Sequence, residues 1–215
     1  ANLAYFTGFI GATARLIPEK GENTLYVSGV NYEQARAETQ DINIQLLKQG
    51  ENVMEKIAKE SPTKKFSLDT MPFENWCVLS KIVGEENLQP INNLIRELRN
   101  VKDQEEIKLI REACKVATVG MQTAKEIIGV GVKEKDAAAE IEYAMRKAGS
   151  DGTSFETIVA SGATSAYPHG SNLERKICDG DFVIVDLGAT YKFYRSDITR
   201  TFIASKATYH QAKIY

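Results

Sequence analysis

Residues 181–203 read DFVIVDLGATYKFYRSDITRTFI, and this stretch decides the fold of the carboxyl-terminal half of the chain. Two runs rich in β-branched and aromatic residues flank a short polar centre, a pattern that predicts an antiparallel hairpin. With the turn centred on Tyr191 and Lys192, Asp186 lies directly opposite Asp197. We therefore expect two carboxylates whose Cβ atoms are about 5 Å apart.

Two facing aspartates are unfavourable in a strand pair, because they repel by about 3 kcal/mol at an effective dielectric of about 20. Asp186 shares a strand face with Phe182 and Ile184, and the pattern favours burial of that face. Buried carboxylates need a proton, a positive partner or a metal, and converging oxygen ligands suit Mn²⁺ or Mg²⁺ and also bind Zn²⁺ or Co²⁺. Pairing with Arg195 or Arg200 is the alternative. A one-residue change of register would place the two carboxylates on opposite faces.

The composition indicates a globular protein with one large domain or two ordinary ones in 215 residues. A net charge of −2 gives no reason to expect nucleic acid or a membrane surface as a partner. The sequence contains no apolar run long enough to cross a bilayer and no signal-peptide pattern. Because the chain opens on Ala1 and not on methionine, we expect residues to precede it in the natural protein.

Cys77, Cys114 and Cys178 are odd in number and lack C-x-x-C spacing. This argues against a disulfide framework or a zinc knuckle, and a reduced cytoplasmic location is the expectation.

The first ninety residues alternate short strand-like and helix-like runs, which predicts an α/β layer structure. The predicted strands are 24–28, 42–47 and 65–69, and the predicted helices are 32–39, 51–60 and 73–83. Tyr5–Gly11 is predicted as a turn between strands. We place an amino-terminal domain at 1–90, a linker at 91–101 and a second domain at 102–215.

Residues 103–128 predict a long amphipathic helix. Asp103 and Glu106 form a capping box in which Asp replaces the usual Ser or Thr, and Gly129 supplies the stop. The predicted apolar stripe is Ile107, Ile110, Cys114, Ala117, Met121, Ala124 and Ile128. A coiled coil is the competing interpretation, which the many small residues disfavour. Cys114 lies on the stripe, so we expect it to be buried.

A second helix is predicted over 134–148 and a strand over 155–160. The following loop carries His169, one of the two histidines of the chain, and by itself it is typical of an exposed loop histidine. The tail, 205–215, predicts the start of a helix with His210 on its surface.

Residues 97–203 resemble the first half of the catalytic domain of the pita-bread metallopeptidases, most of all the Xaa-Pro dipeptidases (prolidases) and Xaa-Pro aminopeptidases. The matching stretches are 98–107, 155–162, 168–170, 185–188 and 196–201. Residues 4–39 resemble the amino-terminal domain of the same peptidases. The resemblance implies a creatinase-like α/β amino-terminal domain and an α+β pita-bread catalytic domain, of which only the first half is present.

The resemblance also implies roles for residues at the candidate site. Asp186 and Asp197 match the first two ligands of a site for two divalent ions (Mn, Co or Zn), Asp186 serving mainly one ion and Asp197 bridging both. His169 matches a catalytic, substrate-contacting histidine that helps proton movement. In such a site a metal-held hydroxide attacks the carbonyl before proline. The implied partners are Xaa-Pro dipeptides or short peptides and a second copy of the chain in a homodimer.

The family completes its site with a histidine and two glutamates, and this chain contains no Asp or Glu after Asp197. His210 stands in the wrong context to replace that histidine. We therefore expect the chain to be a fragment without peptidase activity of its own. Xaa-Pro dipeptidase is favoured by the short amino-terminal region. The alternatives are an Xaa-Pro aminopeptidase acting on longer peptides and a non-catalytic pita-bread module that binds peptides or proteins. Methionine aminopeptidase and creatinase are disfavoured.

Overall fold

The structure, a computed structural model, describes residues 2–16, 22–61, 65–168 and 174–215. The chain divides into two compact units, Ala1–Val101 and Lys102–Tyr215. None of the helices in the described ranges has the length and hydropathy that crossing a bilayer requires.

The first unit has the predicted α/β layering. Its elements are α1 (Asn2–Thr7), β1 (Ala12–Leu16), β2 (Thr24–Ser28), α2 (Tyr32–Glu38), β3 (Asn43–Leu47), α3 (Val53–Glu60), β4 (Phe66–Leu68), α4 (Phe73–Val83), β5 (Leu88–Pro90) and α5 (Asn92–Asn100). One sheet has the order β1-β2-β3, and a second pairs β4 with β5. In β2, Leu25 and Val27 belong to the cluster that contains Ala35 of α2, whereas Tyr26 packs with Met54 and other residues of α3 and α4. The central strand is therefore covered on both faces.

Two segments of this unit differ from prediction. The residues predicted as a turn, Tyr5–Gly11, begin inside helix α1, which ends at Thr7 because the next residue, Gly8, has a helix-terminating φ of +69°. The predicted linker, 91–101, contains helix α5. Arg99 explains its placement with the first unit, because its guanidinium donates to the Asn2 side chain at 2.6 Å and lies over the Tyr5 ring.

The second unit packs two helices against one face of a three-stranded sheet. Its elements are α6 (Gln104–Ile127), α7 (Glu134–Lys147), β6 (Gly152–Thr153), β7 (Ile158–Ser161), β8 (Phe182–Leu187), β9 (Ala189–Tyr191), β10 (Tyr194–Arg195), β11 (Ile198–Ile203) and α8 (Tyr209–Ile214). The larger antiparallel sheet has the order β11-β8-β7, and a smaller one has the order β10-β9-β6. The core lies between the larger sheet and helices α6 and α7.

Helix α6 begins at the predicted capping box, in which the Glu106 N–H donates to Asp103 Oδ1 and the Asp103 N–H donates to Glu106 Oε2, each at 2.9 Å. Its buried stripe is displaced from the predicted one, and the prediction for Cys114 was wrong because this thiol is exposed. Gly120 explains the difference. A Cβ there would lie 2.7 Å from Met145 Cγ, so the missing side chain lets α7 pack over the line of Ala113, Gly120 and their neighbours.

Candidate metal centre

Strand β8 has one closed face and one open face. Val183, Val185 and Leu187 are fully buried in the core, whereas Phe182, Ile184 and Asp186 are partly exposed. The predicted alternation is therefore present, but the face that carries Asp186 is the open face of the sheet and not the buried one. The other face is buried because α6 and α7 cover it.

The register of the hairpin differs from the predicted one by two residues. Asp186 pairs with Thr199, and the regular pairing on both sides places Asp197 opposite Gly188. The turn therefore centres on Lys192 and Phe193 rather than on residues 191 and 192. Both adopt positive φ, 44° and 72°, as a two-residue type I′ hairpin turn requires. The expected direct opposition of Asp186 and Asp197 was wrong.

A shift of two residues nevertheless keeps Asp186 and Asp197 on the same face of the sheet, because side chains alternate between the two faces with a period of two residues. Asp186 and Asp197 are diagonal neighbours on the open face, a relation with typical separations of about 7–8 Å. Two divalent ions in one site are about 3.5–4 Å apart, so ligands at this spacing suit a shared centre. Neither carboxylate forms an ion pair with an arginine within the described ranges. The Arg200 guanidinium instead donates to the Thr199 carbonyl oxygen at 2.8 Å.

Asp186 lies in the wall of a cavity of about 280 Å³ on the open face. The Thr199 hydroxyl donates to Asp186 Oδ1 at 2.9 Å and so fixes the direction of the carboxylate. The remaining lining residues are Ile158, Ala160, Ser165, Ala166, Tyr167, Pro168 and Ile184. The cavity thus combines apolar walls with one oriented carboxylate. Thr199 was not among the predicted site residues, because the predicted register did not pair it with Asp186.

The backbone that carries Asp197 is fixed from the closed side. Ser196 is buried, its hydroxyl lies 3.0 Å from the Ala113 carbonyl oxygen in α6, and it accepts the Ala189 N–H at 3.0 Å. Across the strand pair, a Cβ on Gly188 would lie 2.2 Å from the Ser196 carbonyl oxygen. Asp197 therefore projects from a rigid support.

His169 lies outside the described residues, and the described chain stops one residue before it, at Pro168. His210 is exposed on α8, as predicted.

Asp186 and Asp197 fit a divalent metal ion in ligand type but not in number. In the described part of the chain, no three His, Cys, Asp or Glu side chains form a group that could hold an ion. The two aspartates supply hard, anionic oxygen donors on one face, which is the ligand type that Mn²⁺ or Mg²⁺ prefers. Asp186 and Asp197 could therefore contribute oxygen ligands to a metal ion, and by themselves they do not form a complete site.

Asp181, directly before β8, accepts from Arg175 Nη1 at 2.6 Å and from the Cys178 N–H at 2.8 Å. Burial by itself would raise the pKa of this carboxyl, but the hydrogen bonds and the charge of Arg175 outweigh burial and lower the pKa. The side chain is 13% exposed, so solvent screens the pair only in part.

We expect Asp181→Asn to lower the free energy of unfolding at neutral pH by about 2 kcal/mol, the usual scale for a hydrogen bond to a charged group. Because the folded-state pKa lies below the unfolded value of about 3.9, this contribution is present above that value and is lost as pH falls through the folded-state pKa. Urea unfolding across pH 2.5–7, with the exposed Asp179→Asn as control, should show the difference between wild type and variant shrinking as pH falls below about 3.9. A constant difference down to pH 2.5 would contradict the assignment.

Comparison with known proteins agrees with this architecture. Residues 108–215 match Metallopeptidase family M24, and residues 1–101 match the Creatinase/Prolidase N-terminal domain. The chain is 34% identical over 216 residues to an Xaa-Pro dipeptidase of Pyrococcus horikoshii, which covers 100% of this chain and 60% of that relative.

Solved structures show the same similarity. The crystal structure of the prolidase from Pyrococcus horikoshii OT3 superposes with a TM-score of 0.89 at 33% identity, over 99% of this chain and 61% of that one. An X-Pro aminopeptidase from Thermotoga maritima superposes with a TM-score of 0.83 at 30% identity, over 98% of this chain and 61% of that one. This chain thus spans about 60% of the length of these relatives. From its matched domains and its fold, the chain belongs to metallopeptidase family M24, with a creatinase-like amino-terminal domain followed by pita-bread domain sequence.

Proposed function

We propose that this chain is part of a proline-specific metallopeptidase that hydrolyses the Xaa-Pro bond of dipeptides. The observation that carries the proposal is the pair Asp186 and Asp197 on one open sheet face, beside a cavity with apolar walls. The relatives named Xaa-Pro dipeptidase and prolidase support the choice of substrate. Similarity to the Thermotoga X-Pro aminopeptidase favours the second candidate, an aminopeptidase that acts on longer peptides.

In this proposal Asp186 and Asp197 would hold divalent ions, and the hydrogen bond from Thr199 would orient the Asp186 carboxylate for that role. When bound, the ions would supply Lewis-acid chemistry that activates water and polarises the scissile carbonyl. The complete ligand set is expected to include a histidine and two glutamates beyond those in this chain.

The chain also supplies substrate contacts in this proposal. An Xaa-Pro bond is a tertiary amide without an N–H, so the proline ring must be recognised by shape. The apolar walls at Ile158, Ala160 and Ile184 suit such a ring, and the cavity volume is near the lower end of about 300 Å³ found for small-ligand pockets. His169 is proposed to contact the substrate and to move a proton at the scissile bond.

The experiment compares peptidase activity of the protein from the complete coding sequence with that of the 215-residue chain. Each is loaded with Mn²⁺, Co²⁺ or Zn²⁺ and given Ala-Pro, Ala-Ala and Ala-Pro-Gly. We expect the complete protein to cleave Ala-Pro about 100-fold or more faster than Ala-Ala, because binding energy from the proline ring is realised only when it fills its pocket. The 215-residue chain alone should cleave none of them. Faster cleavage of Ala-Pro-Gly than of Ala-Pro would select the aminopeptidase, and cleavage of Ala-Pro by the chain alone would contradict the proposed division of ligands.

The metal used, a homodimer and a cytoplasmic location stay predictions. The same samples test two of them, through metal analysis of the purified protein and through its mass in solution.

A further inference from the structure

Glu134 is a fully buried carboxylate that the proposed chemistry does not use. It is the first residue of helix α7 and has 0% exposure. Oε1 accepts hydrogen bonds from the Ser161 N–H at 2.8 Å and the Ser161 hydroxyl at 2.7 Å. The Thr164 hydroxyl lies 3.3 Å from Oε1 and donates to the nearer Ser161 carbonyl oxygen at 2.8 Å. Oε2 is buried without a hydrogen-bond partner among the described residues. A buried, half-satisfied carboxylate costs folding free energy, so its position calls for an explanation.

Glu134 also contacts the segment that leads into β8, through its backbone. Its backbone N–H donates to the Arg175 carbonyl oxygen at 3.0 Å. The Arg175 guanidinium in turn donates to the Ser161 hydroxyl and to Asp181. Glu134 therefore joins the end of β7, at Ser161, to the chain that leads into β8, at Arg175.

Gly162 shows how closely these groups are packed. Its φ is +57°, and a Cβ there would lie 2.6 Å from both Arg175 Nη2 and Asp181 Oδ1. The chain leaves Ser161 in a 3₁₀ turn, Gly162–Ala166, that begins directly on this packed group. The Thr164 hydroxyl in the middle of the turn donates to the Ser161 carbonyl oxygen at 2.8 Å, so the residue that Glu134 holds also anchors the centre of the turn.

This turn forms part of the cavity wall on the open face of the sheet. Ser165–Pro168 line the cavity together with Asp186 and Thr199. By the register of β7 on β8, Ser161 pairs with Val183 on the closed face, whereas Ala160 pairs with Ile184 on the open face. Glu134 thus bonds to Ser161 on the closed face of the sheet, whereas the cavity wall Ser165–Pro168 lies on the open face.

We infer that Glu134 is a positioning residue, which holds the wall Ser165–Pro168 at a fixed distance from Asp186 through its two bonds to Ser161, to which Thr164 is bonded in turn. Its effect on catalysis rests on the proposed function, whereas its effect on the wall does not. Oε1 makes all the side-chain bonds, so the acceptor oxygen is the essential feature and glutamine can supply it.

The test compares Glu134→Ala and Glu134→Gln with the exposed Glu140→Gln on the same helix, using hydrogen exchange read by mass spectrometry on the whole chain. In E134A we expect about tenfold faster exchange in peptides covering 158–168 and 174–178, the factor that corresponds to a lost bond of about 1.4 kcal/mol. Helix α6 and the first unit should keep wild-type exchange. E134Q should restore most of the protection, and E140Q should equal wild type.

Unchanged exchange in E134A, a uniform rise across the second unit or a failure of E134Q to restore protection would each overturn the inference. Hydrogen exchange does not depend on turnover, so a wild-type protein without peptidase activity would contradict the proposed function and leave the exchange result to decide on Glu134. Where Ala-Pro is cleaved, E134A should raise KM about tenfold with unchanged bound metal, and E134Q should restore it. Lost metal with unchanged KM would overturn the catalytic part.

Discussion

Replacing Asp186 or Asp197 with asparagine is expected to lower Xaa-Pro hydrolysis by the metal-loaded protein about 100-fold or more. Loss of an outer-shell partner already costs about 10–100-fold in metal affinity or activity, and these residues are proposed as ligands. Asparagine keeps the shape of aspartate but removes the negative charge that a hard cation needs. In D186N the amide oxygen can still accept the Thr199 hydroxyl, so the local fold should remain.

The control is Asp179→Asn, which removes the same charge from an exposed turn of the same unit. Bound metal, measured by elemental analysis after gel filtration, should fall in D186N and D197N and stay unchanged in D179N. Normal metal content and activity in both site variants would contradict the assignment of Asp186 and Asp197 as ligands.

The free energy of unfolding of D186N and D197N provides an independent test of the same assignment. Without metal, two like charges on one strand face repel, so each asparagine should leave the free energy of unfolding unchanged or raise it. Activity is then expected to fall without any loss of stability, as is common for residues kept for function. A fall of about 2 kcal/mol or more in the metal-free chain would instead indicate a structural role.

Local patterns predicted the parts of this fold that local interactions determine. The capping box at Asp103 and Glu106 needs only residues three apart, and helix α6 begins there as expected. The hairpin was likewise predicted from its two β-rich runs, and β8 and β11 pair within them.

The register of the hairpin could not be read locally, because its turn does not use the glycine or asparagine that usually marks positive φ. Lys192 and Phe193 occupy the two positive-φ positions, and the Lys192 N–H donates to Asp151 Oδ2 at 2.5 Å. A residue distant in sequence thus helps to stabilise the turn, and the residues of the turn itself do not indicate its position. The buried stripe of α6 depended in the same way on where α7 packs.

Glu134 was missed for the same physical reason. In the sequence it is an ordinary acidic residue in the first turn of a helix, where the helix macrodipole stabilises a negative charge. Its hydrogen-bond partner Ser161 is 27 residues away, so its burial appears only when β7 and α7 are brought together.

Among the glycines of the second unit that the structure describes, Gly188 is the one where an added methyl group would meet the closest atom. A Cβ would lie 1.9 Å from Ser154 Oγ, 2.2 Å from the Ser196 carbonyl oxygen and 2.9 Å from Phe155 Cε1. We expect Gly188→Ala to lower the free energy of unfolding by about 3 kcal/mol, the upper range for overpacking, because one of the obstructing atoms belongs to the backbone. Gly129→Ala is the matched control, since its nearest neighbour, the Ile127 carbonyl oxygen, is 4.0 Å from the added Cβ.

Urea unfolding followed by circular dichroism gives the size of the loss, and hydrogen exchange should localise it to β8–β11. The double variant S154A/G188A removes the Ser154 hydroxyl, with its hydrogen bond to the Ser196 carbonyl oxygen, and keeps the other two obstructing groups, the Ser196 carbonyl and the Phe155 ring. We expect it to recover only part of the lost stability. Full recovery would show that the backbone of β10 and β11 can move aside.

A displacement of the Ser196 carbonyl in G188A would also affect the candidate metal site. Ser196 directly precedes Asp197, and its hydroxyl bonds to helix α6 at Ala113, so a displaced Ser196 carbonyl must rotate the backbone that aims Asp197. G188A should therefore also lower bound metal in the complete protein, although Gly188 has no side chain to act as a ligand. Wild-type metal content in a destabilised G188A protein would show that Asp197 keeps its direction without this support, and the rigid backbone argued for the site would be wrong.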